Sequence, residues 1–352
     1  MRFKLVFLFV IIAQCAIAQE KLSFFPADHS FIQYTGRIDF TNPKLPRFWQ
    51  PGVYFNTKFS GTSCEVILND EVLWGTNHNY IEVVVDGKPI RLQTKTKCDT
   101  IKVASGLPDG IHTLLVCKNT EANIGYMELV GIRCKELIEP EAKPLHKIEF
   151  IGNSITCAAS ADASVVPCHK GLWHDQHNAY MGYAATTARS LNAQYHLSSV
   201  SGIGLMHSCC NMDVIMPQVY DKVSMRNNEI PWNFNNYTPD VVTVCLGQND
   251  GIQDSTKFVN NYIDFLGRLR KYYPDATIIC LTSPMADDGL RDFMKKTLAA
   301  VVQHFNKAAD KKICMFIFDK QYKNGCDYHP DLAEHAEIAK LLTKFIREKM
   351  KW

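Results

Sequence analysis

Short apolar runs separated by turn residues dominate the first 140 residues of the chain. From about Leu22 to Leu137, runs rich in β-branched and aromatic residues alternate with polar turns. Asp-Gly pairs at Asp86 and Asp109 are typical of tight turns between strands. The pattern predicts an all-β, jelly-roll-like sandwich over residues 20–138. Its predicted strands include Cys64–Leu68, Tyr80–Val85, Ile101–Val103, His112–Cys117 and Tyr126–Val130.

The hydrophobic pattern changes after residue 138. Residues 139–146 contain Pro140 and Pro144, which interrupt both helices and ladders, and they are predicted to form a linker. Residues 147–352 alternate between apolar strands and longer helical segments, which predicts a three-layer α/β/α domain with a parallel sheet. The strands are predicted at Ile148–Ile151, Tyr195–Val200, Val241–Leu246, Thr277–Leu281 and Met315–Phe318, and the helices at Ala179–Leu191, Ser255–Tyr272, Leu290–Phe305 and Leu332–Met350.

Composition narrows the classes of function. The 352 residues are enough for roughly two domains of about 150 residues each. Apolar residues make up 46% and charged residues 21% of the chain, which is typical of a globular protein. The formal net charge of +2 and the absence of basic runs with interleaved aromatics argue against a nucleic-acid partner.

The first 18 residues are predicted to be a signal peptide. Arg2 and Lys4 precede the apolar run 5–13, and Ala16-Ile17-Ala18 fits a cleavage site for small residues. The run is too short to span a bilayer, so no membrane span is expected after cleavage. An uncleaved anchor and lipidation at Cys15 are the alternatives. The mature protein is expected to be exported, either to the periplasm or outside the cell.

A serine at the carboxyl end of a predicted strand and a histidine in a predicted loop are candidate catalytic residues. The strand Ile148–Ile151 runs into Gly152, and Ser154 lies just beyond its carboxyl end, the edge at which such sheets bind ligands. A serine hydroxyl needs a neighbouring base to become nucleophilic, and His329 lies in a loop before the last predicted helix. Alone, Ser154 could equally be a helix N-cap, and His329 could be a surface histidine at a helix entry.

Acyl transfer also needs donors aimed at the developing oxyanion. Asn249 follows the strand Val241–Leu246 and can offer a side-chain N–H, and the Ser154 backbone N–H is a second candidate. Gly202 follows the strand Tyr195–Val200, where the lack of a side chain lets a backbone N–H approach a substrate. Plain turns would explain Gly202 or Asn249 separately, whereas four features in the required order favour an esterase site.

These blocks resemble the SGNH, or GDSL-type, hydrolase superfamily. They are Gly152-Asn153-Ser154, Ser201-Gly202, Gly247-Gln248-Asn249-Asp250 and Asp327-Tyr328-His329-Pro330. The preceding sandwich, with residues 107–113, and the runs 201–204 and 326–330 are similar to carbohydrate esterase family 2 over nearly the whole mature chain. That resemblance implies removal of acetyl esters from plant polysaccharides such as xylan and glucomannan, often at the sugar 6-position.

The resemblance also implies residue roles. Ser154 would be the nucleophile and His329 the general base and acid, while Gly202, Asn249 and the Ser154 N–H would form the oxyanion hole. Asn153 stands where the superfamily commonly has Asp, and little effect on the chemistry is expected. Asp327 is two residues before His329, whereas many members place the acid three before, where this chain has Cys326. Either the Asp327 carboxylate or a backbone carbonyl would then orient His329.

Three aromatic residues are candidates to stack on a sugar ring. They are Tyr328 beside the histidine, Trp173 in the long insertion 157–178, and Trp232. The alternative is that such aromatics belong to the core. His169, His174 and His177 could suggest a metal, but their spacing is loose, so neither a metal nor a cofactor is predicted.

Cysteine usage permits disulfides without defining them. Of 13 cysteines, Cys15 falls in the predicted signal peptide. Cys157 and Cys168, which flank one insertion, are the first pair to test, and the adjacent Cys209 and Cys210 fit any arrangement. Cys245 and Cys280 lie in apolar strands and are expected to be core thiols.

The leading hypothesis is a carbohydrate O-acetylesterase that acts on an acetylated polysaccharide or oligosaccharide through a Ser-His acyl-enzyme mechanism. One alternative keeps the site and changes the acyl group, which would give a general short-chain esterase, lipase or thioesterase. The other is a non-catalytic carbohydrate-binding protein, against which the intact serine, histidine and asparagine argue.

Overall fold

The computed structural model describes residues 21–352, so the predicted signal peptide lies outside the described residues. Its first part is a nine-stranded antiparallel sheet, in which β4 is the longest strand and pairs with four others. The strands are β1 (Ser23–Pro26), β2 (Gln33–Thr35), β3 (Arg47–Phe48), β4 (Tyr54–Asp70), β5 (Tyr80–Val85), β6 (Lys88–Gln93), β7 (Cys98–Ala104), β8 (Ile111–Lys118) and β9 (Met127–Ile138).

The sheet closes over its own core because β4 changes partners along its length. Residues 54–60 of β4 pair with β8, whereas residues 64–69 pair with β7. The register shifts between Ser60 and Cys64, around Gly61, which has a φ of 108°. Phe55, Phe59 and Val66 are buried in the enclosed core. The Asp86-Gly87 pair forms the predicted two-residue hairpin between β5 and β6, with both residues at positive φ.

Residues 139–145 contain no regular element and lie against the first sheet. The Gln33 side chain donates to the carbonyl of Glu141, and Lys58 pairs with the Glu141 carboxylate. The parallel sheet begins immediately afterwards. Its strands are β10 (His146–Gly152), β11 (Ala193–Ser199), β14 (Val241–Cys245), β15 (Thr277–Leu281) and β16 (Ile313–Phe316), and a separate small hairpin consists of β12 (Lys222–Ser224) and β13 (Glu229–Pro231).

Helices cover both faces of the parallel sheet, as the strand and helix pattern predicted. One face packs against α2 and α6 through residues such as Ala184 and Leu342, and the other packs against α4 and α5 through Phe265 and Leu298. The helices are α1 (Ser154–Cys157), α2 (Tyr183–Ser190), α3 (Met216–Val219), α4 (Ser255–Tyr272), α5 (Asp288–Lys307) and α6 (Leu332–Met350), and short 3-10 helices lie at Ala122–Ile124, Trp173–Gln176, Phe234–Asn236 and Cys326–Tyr328.

The strand order of the parallel sheet brings the candidate site residues to one crevice. The order β11-β10-β14-β15-β16 puts the first strand of the sheet inside it, with successors on both sides. The crevice at such a reversal, beyond the carboxyl ends of the strands, is where doubly wound sheets bind ligands. The segments that follow β10, β11 and β14 carry Ser154, Gly202 and Asn249 respectively.

The two sheets share a buried interface. Arg37 of the first part donates to Glu149 of β10 at 2.9 Å, and both side chains are almost fully buried. Glu149 also accepts from the hydroxyls of Ser198 and Tyr220. A buried charge is stable only when it is paired and hydrogen-bonded, and this carboxylate has three donors. The ion pair therefore ties the antiparallel sheet to the strand that leads to Ser154.

Candidate active site

Ser154 is the first residue of α1, and its hydroxyl faces a histidine. The cap of α1 is Asn153, whose side-chain oxygen accepts from the Ile155 N–H at 3.2 Å. Because Asn153 is the cap, the Ser154 Oγ is available to lie 2.9 Å from Nε2 of His329. The turn is tight, since a Cβ on Gly152 would come within 2.1 Å of the Thr156 hydroxyl oxygen. The N-cap alternative for Ser154 is therefore wrong.

A backbone carbonyl orients the histidine. Nδ1 of His329 lies 3.0 Å from the carbonyl oxygen of Asp327. The Asp327 carboxylate points elsewhere, with its Oδ1 at 3.9 Å from Nδ1 of His169. The prediction that the carboxylate is the orienting acid is therefore wrong, and the alternative of a carbonyl holds. The physical reason is backbone conformation: Asp327 and Tyr328 both have left-handed φ values, 51° and 59°, and this turns the carbonyl toward the ring.

The contacts of His329 define its tautomer. A carbonyl can only accept, so Nδ1 carries the proton and Nε2 presents its lone pair to the Ser154 hydroxyl. Burial lowers the pKa of His329, the Asp327 carbonyl opposes that shift, and the nearby His177 adds to it. The imidazole is therefore neutral at neutral pH, which is the form a general base requires.

Gly202 and Asn249 lie in the segments that follow β11 and β14, the two strands that flank β10. Gly202 has a φ of 82°, and a Cβ there would lie 2.9 Å from Sδ of Met212, so the position requires glycine. The Asn249 side chain donates to the carbonyl of Ile203 at 2.8 Å, which leaves its second N–H available. Asp250 accepts from three successive backbone N–H groups at 205–207 and so anchors the segment after Gly202.

The three aromatic candidates separate by location. Tyr328 is 77% exposed beside His329, and Trp173 is 41% exposed with its ring edge-on to His177 at 4.3 Å. Trp232 is only 8% exposed and packs against Trp49 and Tyr237. It borders a cavity of about 490 Å³ at the amino-terminal end of the parallel strands, opposite Ser154. The prediction that Trp232 contacts the substrate is wrong, because it belongs to the inter-sheet core.

The disulfides differ from the first candidate pair. Cys168 bonds to Cys326, which joins the insertion to the loop that carries His329, and Cys209 bonds to Cys210. Cys157 is a buried free thiol at the end of α1 and contacts Glu121 and Ser199, so the candidate Cys157–Cys168 pair is wrong. Cys245 and Cys280 are buried free thiols, as predicted.

Glu121 is the polar residue near the site for which the sequence offered no signal. It lies in the segment that connects β8 and β9 of the antiparallel sheet, is fully buried, and accepts a hydrogen bond from the Ser201 N–H. Among residues 21–352, no cluster of three or more His, Cys, Asp or Glu side chains is placed to hold a metal ion. Within the same residues, no helix is both long enough and apolar enough to cross a membrane.

Comparison with known proteins defines the class. Residues 34–144 match the family model "Carbohydrate esterase 2 N-terminal", and residues 150–333 match "GDSL-like Lipase/Acylhydrolase family". Together with the Ser154–His329 geometry, these matches make the protein a carboxylic ester hydrolase with a GDSL-like domain.

Relatives refine the class to a family. The chain is 34% identical over 343 residues to "Cellulase/esterase CelE" of Acetivibrio thermocellus, covering 92% of this chain and 40% of that protein. It is 25% identical to an "Acetylxylan esterase / glucomannan deacetylase" of Cellvibrio japonicus, covering 93% and 91% of the two chains. A solved family two carbohydrate esterase from Clostridium thermocellum, in complex with cellohexaose, superposes with a TM-score of 0.84 at 32% identity, covering 91% of this chain and 99% of that one. The chain belongs to carbohydrate esterase family 2.

Proposed function

We propose that this protein removes acetyl groups from plant polysaccharides of the xylan or glucomannan type, through an acyl-enzyme on Ser154. The single observation that carries the proposal is the contact of 2.9 Å between the Ser154 Oγ and His329 Nε2, with the second ring nitrogen held by a carbonyl. The acetyl specificity is supported by the name of the Cellvibrio japonicus relative, and the polysaccharide by the cellohexaose bound to the Clostridium thermocellum esterase.

In the proposed first step, His329 Nε2 takes the hydroxyl proton while the Ser154 Oγ attacks the acetyl carbonyl. The carbonyl oxygen becomes an oxyanion that accepts from the N–H groups of Ser154 and Gly202 and from the Asn249 side chain. The tetrahedral intermediate then expels the sugar oxygen, which receives the proton from His329. Water, deprotonated by the same histidine, then attacks the acyl-enzyme carbonyl. The second tetrahedral intermediate breaks its bond to the Ser154 Oγ, which takes the proton back from His329, and acetate is released.

The substrate side of the proposal depends on the two exposed aromatics. Tyr328 precedes the catalytic histidine and presents most of its ring to solvent, and Trp173 lies on the insertion that the Cys168–Cys326 disulfide joins to the same loop. Aromatic rings of this kind pack well against the apolar faces of sugars. We infer that they position the acetylated unit over Ser154.

The test is acetate release from acetylated xylan, acetylated glucomannan and an aryl acetate. Ser154→Ala is expected to abolish release from all three, whereas Ser190→Ala, an exposed serine at the end of α2, is expected to match the unmodified protein. Activity retained by Ser154→Ala would refute the nucleophile. A preference for long-chain over acetyl aryl esters would refute the acetyl specificity and favour the lipase alternative.

A further inference from the structure

A carboxylate from the antiparallel sheet lies behind the oxyanion block of the parallel sheet. Glu121 is in the segment between β8 and β9, and its side chain is fully buried. Its Oε2 accepts from the backbone N–H of Ser201 at 2.5 Å. Ser201 immediately precedes Gly202, whose N–H is a proposed oxyanion donor. The two parts of the chain therefore meet one residue away from the proposed catalytic machinery.

The same carboxylate contacts two other segments around the site. The Cys157 thiol, at the end of the helix that begins with Ser154, donates to Oε2 at 3.6 Å. Nε2 of His177, from the insertion, lies 3.7 Å from Oε1. One buried side chain thus touches the segments that follow β10 and β11 and the insertion that carries Trp173.

The surroundings of Glu121 favour its charged form and hold its backbone. Burial alone would raise the pKa of Glu121, but the contacts with His177 and Ser201 outweigh burial and hold it below the usual range. The buried Lys118 donates from Nζ to the carbonyl oxygens of Thr120 and Glu121, which fixes the segment from behind. Hydrogen bonds to an ionised acceptor are roughly twice as strong as neutral ones. The Ser201 N–H is therefore firmly anchored.

We infer that Glu121 is a positioning residue for the oxyanion hole, so that the antiparallel sheet contributes to catalysis in this protein. The inference rests on the proposed function. With the Ser201 N–H tied to a fixed carboxylate, the peptide that follows presents the Gly202 N–H in a defined direction. Donors to an oxyanion act in the transition state, so misplacing one lowers kcat and leaves KM nearly unchanged. A displacement of 1 Å can cost about 100-fold in rate.

The test compares Glu121→Ala and Glu121→Gln with Glu128→Ala on an aryl acetate. Glu128 is a matched control, because it is a buried glutamate of β9 whose partners, Arg47 of β3 and Asn69 of β4, both lie within the antiparallel sheet. Glu121→Ala is expected to lower kcat by about 100-fold with KM within about threefold. Glu121→Gln retains an oxygen for the Ser201 N–H and is expected to recover most of kcat. Glu128→Ala is expected to keep kcat and KM.

The outcomes separate this inference from the proposed function. A kcat for Glu121→Ala equal to that of Glu128→Ala at equal folded fraction would overturn the role of Glu121 while leaving Ser154 unaffected. Loss of affinity for substrate with kcat retained would also overturn it. Where Glu121→Ala does not fold, Glu121→Asp decides, since its shorter side chain withdraws the carboxylate from Ser201 and is expected to lower kcat at least tenfold. Failure of the proposed function itself would show in Ser154→Ala, through retained activity.

Discussion

Loss of the Cys168–Cys326 disulfide is expected to affect both stability and catalysis. The bond joins residues that are 158 positions apart, in the insertion and in the loop of His329. The entropy of closing a loop of that length corresponds to about 5 kcal/mol of stabilisation at 25 °C. Cys168→Ala is therefore expected to lower the free energy of unfolding by about 2–5 kcal/mol, measured by urea denaturation.

The catalytic effect follows from the backbone of the histidine loop. Asp327 and Tyr328 hold left-handed conformations that cost about 1–2 kcal/mol each in residues with a side chain. The disulfide and the hydrogen bonds from the N–H groups of Gly325 and Cys326 hold them in place. If the loss of the disulfide releases about half of that strain, the population with His329 against Ser154 falls about tenfold. The value of kcat/KM for an aryl acetate should fall accordingly.

The control is Cys98→Ala, which replaces an exposed free cysteine and is expected to change neither quantity. The double variant Cys168→Ala/Cys326→Ala should behave like the single one, because the unpaired thiol is not the cause. The reasoning is refuted if Cys168→Ala unfolds more easily yet keeps its kcat/KM, since the disulfide would then be a structural staple that does not position His329.

Three further predictions concern the site and the interface. Burial lowers the pKa of His329, and only the neutral imidazole accepts the serine proton. The midpoint of the acidic limb in the pH profile of kcat/KM should therefore lie below the usual histidine pKa of about 6.5. A midpoint above that value would contradict the assignment of His329 as the general base. Arg37→Met leaves the buried Glu149 without its cation and should lower the free energy of unfolding, measured by urea denaturation, by about 3–5 kcal/mol. A decrease below about 1 kcal/mol, which is typical of surface ion pairs, would show that the pair contributes little to stability. Tyr328→Ala should raise KM about tenfold for acetylated polysaccharide but leave KM for an aryl acetate unchanged, and equal effects on both substrates would argue against stacking.

Local sequence patterns were sufficient for most elements of the fold. Tyr80–Val85, Thr277–Leu281, Ser255–Tyr272 and Leu332–Met350 have the bounds that the sequence predicted, because each has a strong period and clear end signals. Asp254 and Asp331 cap the two helices at their predicted starts. The last strand was predicted at Met315–Phe318 but begins two residues earlier, at Ile313. The strand ends at Phe316, but the apolar run continues to Phe318. Phe318 is buried in the hydrophobic core although it lies outside the strand.

What the sequence by itself determined is the inventory of the site: a serine, a glycine, an asparagine and a histidine, each placed just after a strand or before a helix. Such positions can be read locally, because periodicity and turn chemistry act over a few residues. Tertiary structure alone decided which atoms meet. The Asp327 carbonyl rather than its carboxylate faces His329, Cys168 pairs with Cys326, and Glu121 reaches Ser201 from the other sheet. These contacts join residues that lie far apart in sequence or depend on backbone direction, and no local pattern encodes either.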